Sequence, residues 1–131
     1  MAFQQATVEA IRRVGRSHSE VRALYLFGSQ ASGEPRSDSD LDVGVLYASP
    51  SRLEATVRFE EELEQGTGCR VDLVDVARAG AFLALEIVRG ERVFCRESTE
   101  TDGFELYVLA RAGDLLPFER QRQALLLNDT R

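Results

Sequence analysis

The chain has 131 residues, and its 16 basic residues, all Arg, stand against 22 acidic ones for a formal net charge of −6. Without Lys there is no Lys-bearing phosphate loop, no Schiff-base chemistry and no Lys general base, and the acidic balance argues against sequence-independent binding along a nucleic-acid backbone. A hydrophobic share of 44% with 29% charged residues, at this length, is that of one soluble globular domain. No apolar run reaches the roughly 20 residues of a membrane span, and Met1–Gln5 has neither the charge nor the apolar core of a secretory signal. Cys69 and Cys95 lack metal-site spacing, so reduced thiols in a cytoplasmic protein are expected.

In chain order, Phe3, Ala6, Thr7, Ala10, Ile11 and Val14 recur at helical period, predicting a helix over 3–14 capped by Gly15. Residues 21–27 form a short apolar run read as a mostly buried strand. Residues 28–39 are polar turn formers and read as a loop, and 41–47 as a second strand. His18, in a polar turn before the first strand, is expected on the surface and inert. Ser51 and Glu54 have the spacing of a capping box and open a helix to about Gln65, ended by Gly66 and Gly68. A third strand is expected over 70–76, a well-buried helix over 79–89 stopped by Gly90, and a fourth strand over 92–96. Two further helices, 100–112 and 117–127, are expected with a break at Gly113–Pro117. The alternation predicts a single α/β domain over 1–131, a small sheet flanked by helices. A loop joins the first two strands and no G-x-G-x-x-G occurs, which excludes a dinucleotide-binding fold.

The chemistry concentrates in Gly28-Ser29, then ten residues, then Asp40-Leu41-Asp42, with Asp72 inside the third strand. Side chains alternate along a strand, so Asp40 and Asp42 share a face, roughly 6.5–7 Å apart. Like charges on one face are unfavourable unless a cation or solvent screens them, and Asp72 among Val71, Leu73 and Val74 is costly without a partner. Three carboxylates converging from two strands suit Mg²⁺, and two ions about 3.5–4 Å apart can stabilise both oxygens of an in-line displacement at phosphorus. Gly28-Ser29 at the strand end supplies close backbone N–H groups for a phosphate. Asp38, Asp40 and Asp42 also resemble the start of a calcium loop, but Val43 and Ser49 stand where that loop requires Gly and Glu. Asp75 is expected on the opposite face with a structural role, Tyr25, Tyr47 and Tyr107 as packing aromatics, and no Ser–His–Asp or Cys–His set supports hydrolysis.

Gly28-Ser29-x10-Asp40-x-Asp42, preceded by Leu26-Phe27 and followed by Val71-Asp72-Leu73-Val74, resembles the minimal nucleotidyltransferases (MNT) of the DNA polymerase beta superfamily. The similarity covers about residues 21–96 and is nearest to antitoxins paired with HEPN ribonuclease toxins; the helical tail, about 100–127, also fits that group. The resemblance implies a polymerase-beta-like fold with a small mixed sheet. It implies Asp40, Asp42 and Asp72 as catalytic residues and ligands of two Mg²⁺ ions, and Gly28, Ser29, Arg36 and Ser39 as the grip on ATP. The implied reaction is transfer of AMP to a tyrosine hydroxyl of the toxin, in a hetero-oligomer with no direct nucleic-acid or membrane contact. Members often carry basic residues just after the Gly-Ser, where this chain has Gln30 and Ser32. The alternative is therefore a weak or inactive binding module of the same fold that blocks its partner sterically. Transfer to a small molecule would call for a second domain that 131 residues do not accommodate.

Overall fold

The computed structural model describes residues 5–28 and 40–129; the expectations for Phe3, Ser29, Gln30, Ser32, Arg36 and Ser39 fall outside these. The order is α1 (Gln5–Arg16), β1 (Val21–Phe27), β2 (Leu41–Tyr47), α2 (Leu53–Thr67), β3 (Val71–Asp75), a 3₁₀ turn (Val76–Arg78), α3 (Ala81–Val88), β4 (Glu91–Cys95) and α4 (Ser98–Asp129). The four strands form one mixed sheet in the order β3-β2-β1-β4. β1 pairs antiparallel with β2 and with β4, while β2 and β3 run parallel, joined by the α2 crossover. No described helix is long and apolar enough to cross a membrane, and both cysteines are free.

Helices cover both faces of the sheet. On one face α1 and α2 bury Ile11, Phe59 and Leu63 against Leu24, Val43 and Val45. Each such side chain contributes roughly 1.5–3 kcal/mol by leaving water. On the other face α3 and α4 bury Ala84, Ile87 and Val108 against Ala23, Tyr25 and Leu46. A bulge in β1 between Val21 and Ala23 lets Val21 and Leu24 share the first face despite their odd spacing.

Several expectations require correction. Gly15 is not a cap: it lies buried within α1, where an added Cβ would stand 2.9 Å from Leu24 Cδ1 and 3.1 Å from Phe94, so the missing side chain sets how closely the helix approaches the sheet. The capping box does not form. Arg52 occupies the N-cap position of α2 without a side-chain cap bond, and the Ser51 hydroxyl points back to the Arg52 carbonyl. At the other end the expectation holds, because Gly68 closes α2 at φ 73° with its N–H on the Glu64 carbonyl. The break at Gly113–Pro117 is absent: α4 runs continuously through Pro117. A proline removes a single i→i−4 bond and crowds one carbonyl, and the Leu-, Arg-, Gln- and Ala-rich sequence around it favours helix on both sides. His18 is half-buried, edge-on to Phe59 with ring centroids 4.9 Å apart, its Nδ1 3.4 Å from Glu20 and its Nε2 against Glu62. It is therefore a partnered residue joining the β1 approach to α2.

Tyr25 is fully buried, and its hydroxyl donates to Glu105 Oε2 at 2.6 Å. Arg92 bridges Glu105 (3.0 Å) and Asp102 (2.8 Å), which ties α4 to β1 and β4. Burial first, and then Glu105, push the Tyr25 phenol far above its usual range, so it stays protonated.

Candidate active site

The site lies where β1 ends and β2 and β3 begin. Phe27 is the register partner of Asp42, and Asp42 that of Asp72. Register partners on adjacent strands point to the same face, with strands about 4.8 Å apart, so the parallel pairing places these two carboxylates side by side. Asp40 comes two residues before Asp42, ahead of the strand itself, and is exposed. Its Oδ1 lies 3.7 Å from Arg70 Nε, at the entrance to β3. The Arg70 carbonyl also accepts the Leu41 N–H at 2.8 Å, which fixes the two strand starts relative to each other.

Gly28 follows β1 at φ +80°, a left-handed conformation that favours glycine. A Cβ there would lie 2.1 Å from Asp42 Oδ2. The backbone at Gly28 and the Asp42 carboxylate therefore pack directly, and any side chain would push one of them away.

Gly44, next on the Asp42 face of β2, meets α3: an added Cβ would stand 2.4 Å from Ile87 Cγ2 and 3.1 Å from Val76 Cγ2. That close seat for α3 also places Glu86 near the site. Burial chiefly, and then the charges of Asp72, Asp40 and Glu86, raise the Asp42 carboxyl above its ordinary value. The sequence reading missed Glu86, Gly44 and Arg70. Glu86 carried a usable signal as the one charge in the apolar stretch 81–88.

Asp40, Asp42 and Asp72 thus share one end of the sheet, but among the described residues no three His, Cys, Asp or Glu side chains gather closely enough to form a metal cage. The set lies open along the sheet end, Asp42 half-buried and Asp40 and Asp72 exposed. In its chemistry it fits Mg²⁺: the donors are hard carboxylate oxygens, and their mutual repulsion at Asp42 is what a divalent cation relieves. Asp75 points away and accepts the Ala77 N–H at 3.1 Å, capping the 3₁₀ turn, in the structural role expected for it.

The family model described as polymerase beta, nucleotidyltransferase, matches residues 9–99. The chain belongs to the polymerase beta nucleotidyltransferase family. The expected likeness to polymerase beta nucleotidyltransferases is borne out, as are the nucleotidyltransferase class and the mixed-sheet fold. Protein adenylyltransferase MntA of Shewanella oneidensis is 28% identical over 108 residues, 82% of this chain and 75% of that protein. Protein adenylyltransferase MntA of Thermococcus cleftensis is 32% identical over 90 residues, 63% of this chain and 91% of that protein. The fold matches a chain in the structure of a tri-AMPylated S. oneidensis HEPN toxin in complex with MNT antitoxin, with TM-score 0.73 and 22% identity over 98% of this chain and 100% of that one. It also matches a chain of a toxin–antitoxin structure with AMP-PNP, with TM-score 0.76 and 23% identity over 95% and 98%.

Proposed function

We propose that this nucleotidyltransferase moves AMP from ATP to a tyrosine hydroxyl of a HEPN-type toxin in the cytoplasm and so acts as its antitoxin. The observation that carries the reading is the in-register Asp42–Asp72 pair with the Gly28 backbone packed on Asp42. The names of the Shewanella and Thermococcus relatives support an adenylyl donor and a protein acceptor.

Asp40, Asp42 and Asp72 would hold two Mg²⁺ ions, which when bound supply charge neutralisation for the triphosphate and the departing pyrophosphate. The Gly28 N–H, with Ser29, Arg36 and Ser39, grips the triphosphate. Asp42, pinned between Gly28 and Asp72, is the fixed member of the set. Asp72, exposed at the sheet end, takes the proton of the attacking hydroxyl. The hydroxyl oxygen bonds to the α-phosphorus as the bond to the bridging oxygen breaks; pyrophosphate leaves, and the proton passes from Asp72 to solvent.

The test incubates the full chain with α-labelled ATP, Mg²⁺ and the HEPN-type protein encoded beside it. Label on a toxin tyrosine, and its loss with Asp42→Asn, is the expected result. If no label transfers and Asp42→Asn still neutralises the toxin, the enzymatic reading falls and steric block replaces it.

A further inference from the structure

α4 divides into two halves. As far as Ala112 it packs on the sheet, with Thr101, Val108 and Ala112 buried. Beyond Ala112 none of its residues through 126 is buried, although the helix continues. This second half carries Leu115, Leu116, Phe118, Leu125 and Leu126, all exposed, with Phe118 at 68%. At 3.6 residues per turn, Leu115, Phe118, Leu125 and Leu126 fall within an arc of about 100°, with Leu116 to one side of it. An exposed apolar stripe on a helix is ordinarily covered by other structure.

The amount of surface is that of an interface. At roughly 200 Å² for each large apolar side chain, these residues expose about 500 Å², and Leu106, Tyr107 and Leu109 of the first half bring α4 as a whole to about 800 Å², the share each partner buries in a standard complex. The helix also lies almost wholly outside the catalytic family match, which ends at residue 99, whereas α4 begins at Ser98. The chain matched in the HEPN toxin–MNT antitoxin complex covers 98% of this one, so that likeness includes the helix that the catalytic match leaves out.

We propose that the second half of α4 is the element that docks the toxin, an inference that rests on the HEPN partner of the proposed function. The occupant is the HEPN-type protein, through an apolar groove that receives this one face of the helix. Docking there is independent of nucleotide, because the catalytic carboxylates lie at the sheet end and α4 contributes none of them.

The test uses the full chain with Phe118→Glu and Leu125→Glu combined, two exposed positions whose replacement leaves the core intact. Affinity for the adjacent HEPN-type protein is measured by calorimetry without ATP, alongside the melting temperature and ATP-analogue binding. The expected result is binding at least 100-fold weaker, with melting and analogue binding unchanged. Toxin affinity within threefold of the wild type overturns the proposal. So does a wild-type chain that self-associates through this helix while the monomeric variant still binds toxin. Wild-type toxin binding without AMP transfer leaves the docking surface standing and defeats only the transferase reading.

Discussion

Gly28 shows how a single missing side chain shapes a site. Its φ of +80° and the 2.1 Å that would separate a Cβ from Asp42 Oδ2 are two independent reasons for glycine. Gly28→Ala therefore strains the backbone by about 1–3 kcal/mol and displaces the Asp42 carboxylate. Displacing a group at a reacting centre by about 1 Å can lower a rate about 100-fold, and initial rates of label transfer, read beside a thermal melt, separate the two effects. The sequence already singled out Gly28, Asp40, Asp42 and Asp72, because spacing along strands dictates which side chains share a face. It did not point to Glu86 or Arg70, which reach the site through the seating of α3 on Gly44 and through the pairing of two strand starts. Arg70 leaves no local pattern, and the lone charge of Glu86 in its apolar stretch does not tell which group it faces.

At the scale of elements, strands were the most legible: the expected 21–27 and 41–47 match β1 and β2, and β3 and β4 differ from expectation by one residue at each end. Their apolar runs are short and bounded by turn residues, so little competes with the assignment. Helix ends were less legible. Ser51 and Glu54 have cap chemistry, yet the helix starts two residues after Ser51, and Pro117 suggested a break that the surrounding helix formers override. The attachment of α4 to the sheet rests on Tyr25, Glu105 and Arg92, none of which the sequence reading linked. Tyr25→Phe removes the 2.6 Å bond to Glu105 while Arg92 keeps that carboxylate paired. Chemical denaturation should register a loss of about 1–2 kcal/mol, with AMP transfer unchanged, since the lost hydroxyl serves Glu105 on α4. A loss of transfer at retained stability would show that the network supports the site itself.

For the whole molecule, acidic groups from three elements meet at one end of the sheet, where Asp72, Asp40 and Glu86 act on Asp42. Metal and fold stability should therefore be linked. Saturating Mg²⁺ at about 100 times its dissociation constant should stabilise the wild type by about 2.7 kcal/mol, and EDTA should reverse the shift. Asp42→Asn should lose that response yet melt higher than the wild type without metal, by the equivalent of about 1 kcal/mol, because one member of a repelling set is gone. A differential scanning run with and without Mg²⁺ checks both, and an unchanged Mg²⁺ shift in the variant would remove Asp42 from the metal set.

The parallel pairing of β2 with β3 has a consequence for the order in which the protein becomes competent. β1 and β2 are antiparallel neighbours that can pair as a hairpin, whereas Asp72 reaches Asp42 only after the α2 crossover has docked. Pairings between distant segments form late because loop closure must be met before they stabilise anything. The refolding chain therefore regains its hairpin before its chemistry, and catalysis itself reports the docking of β3 against β2.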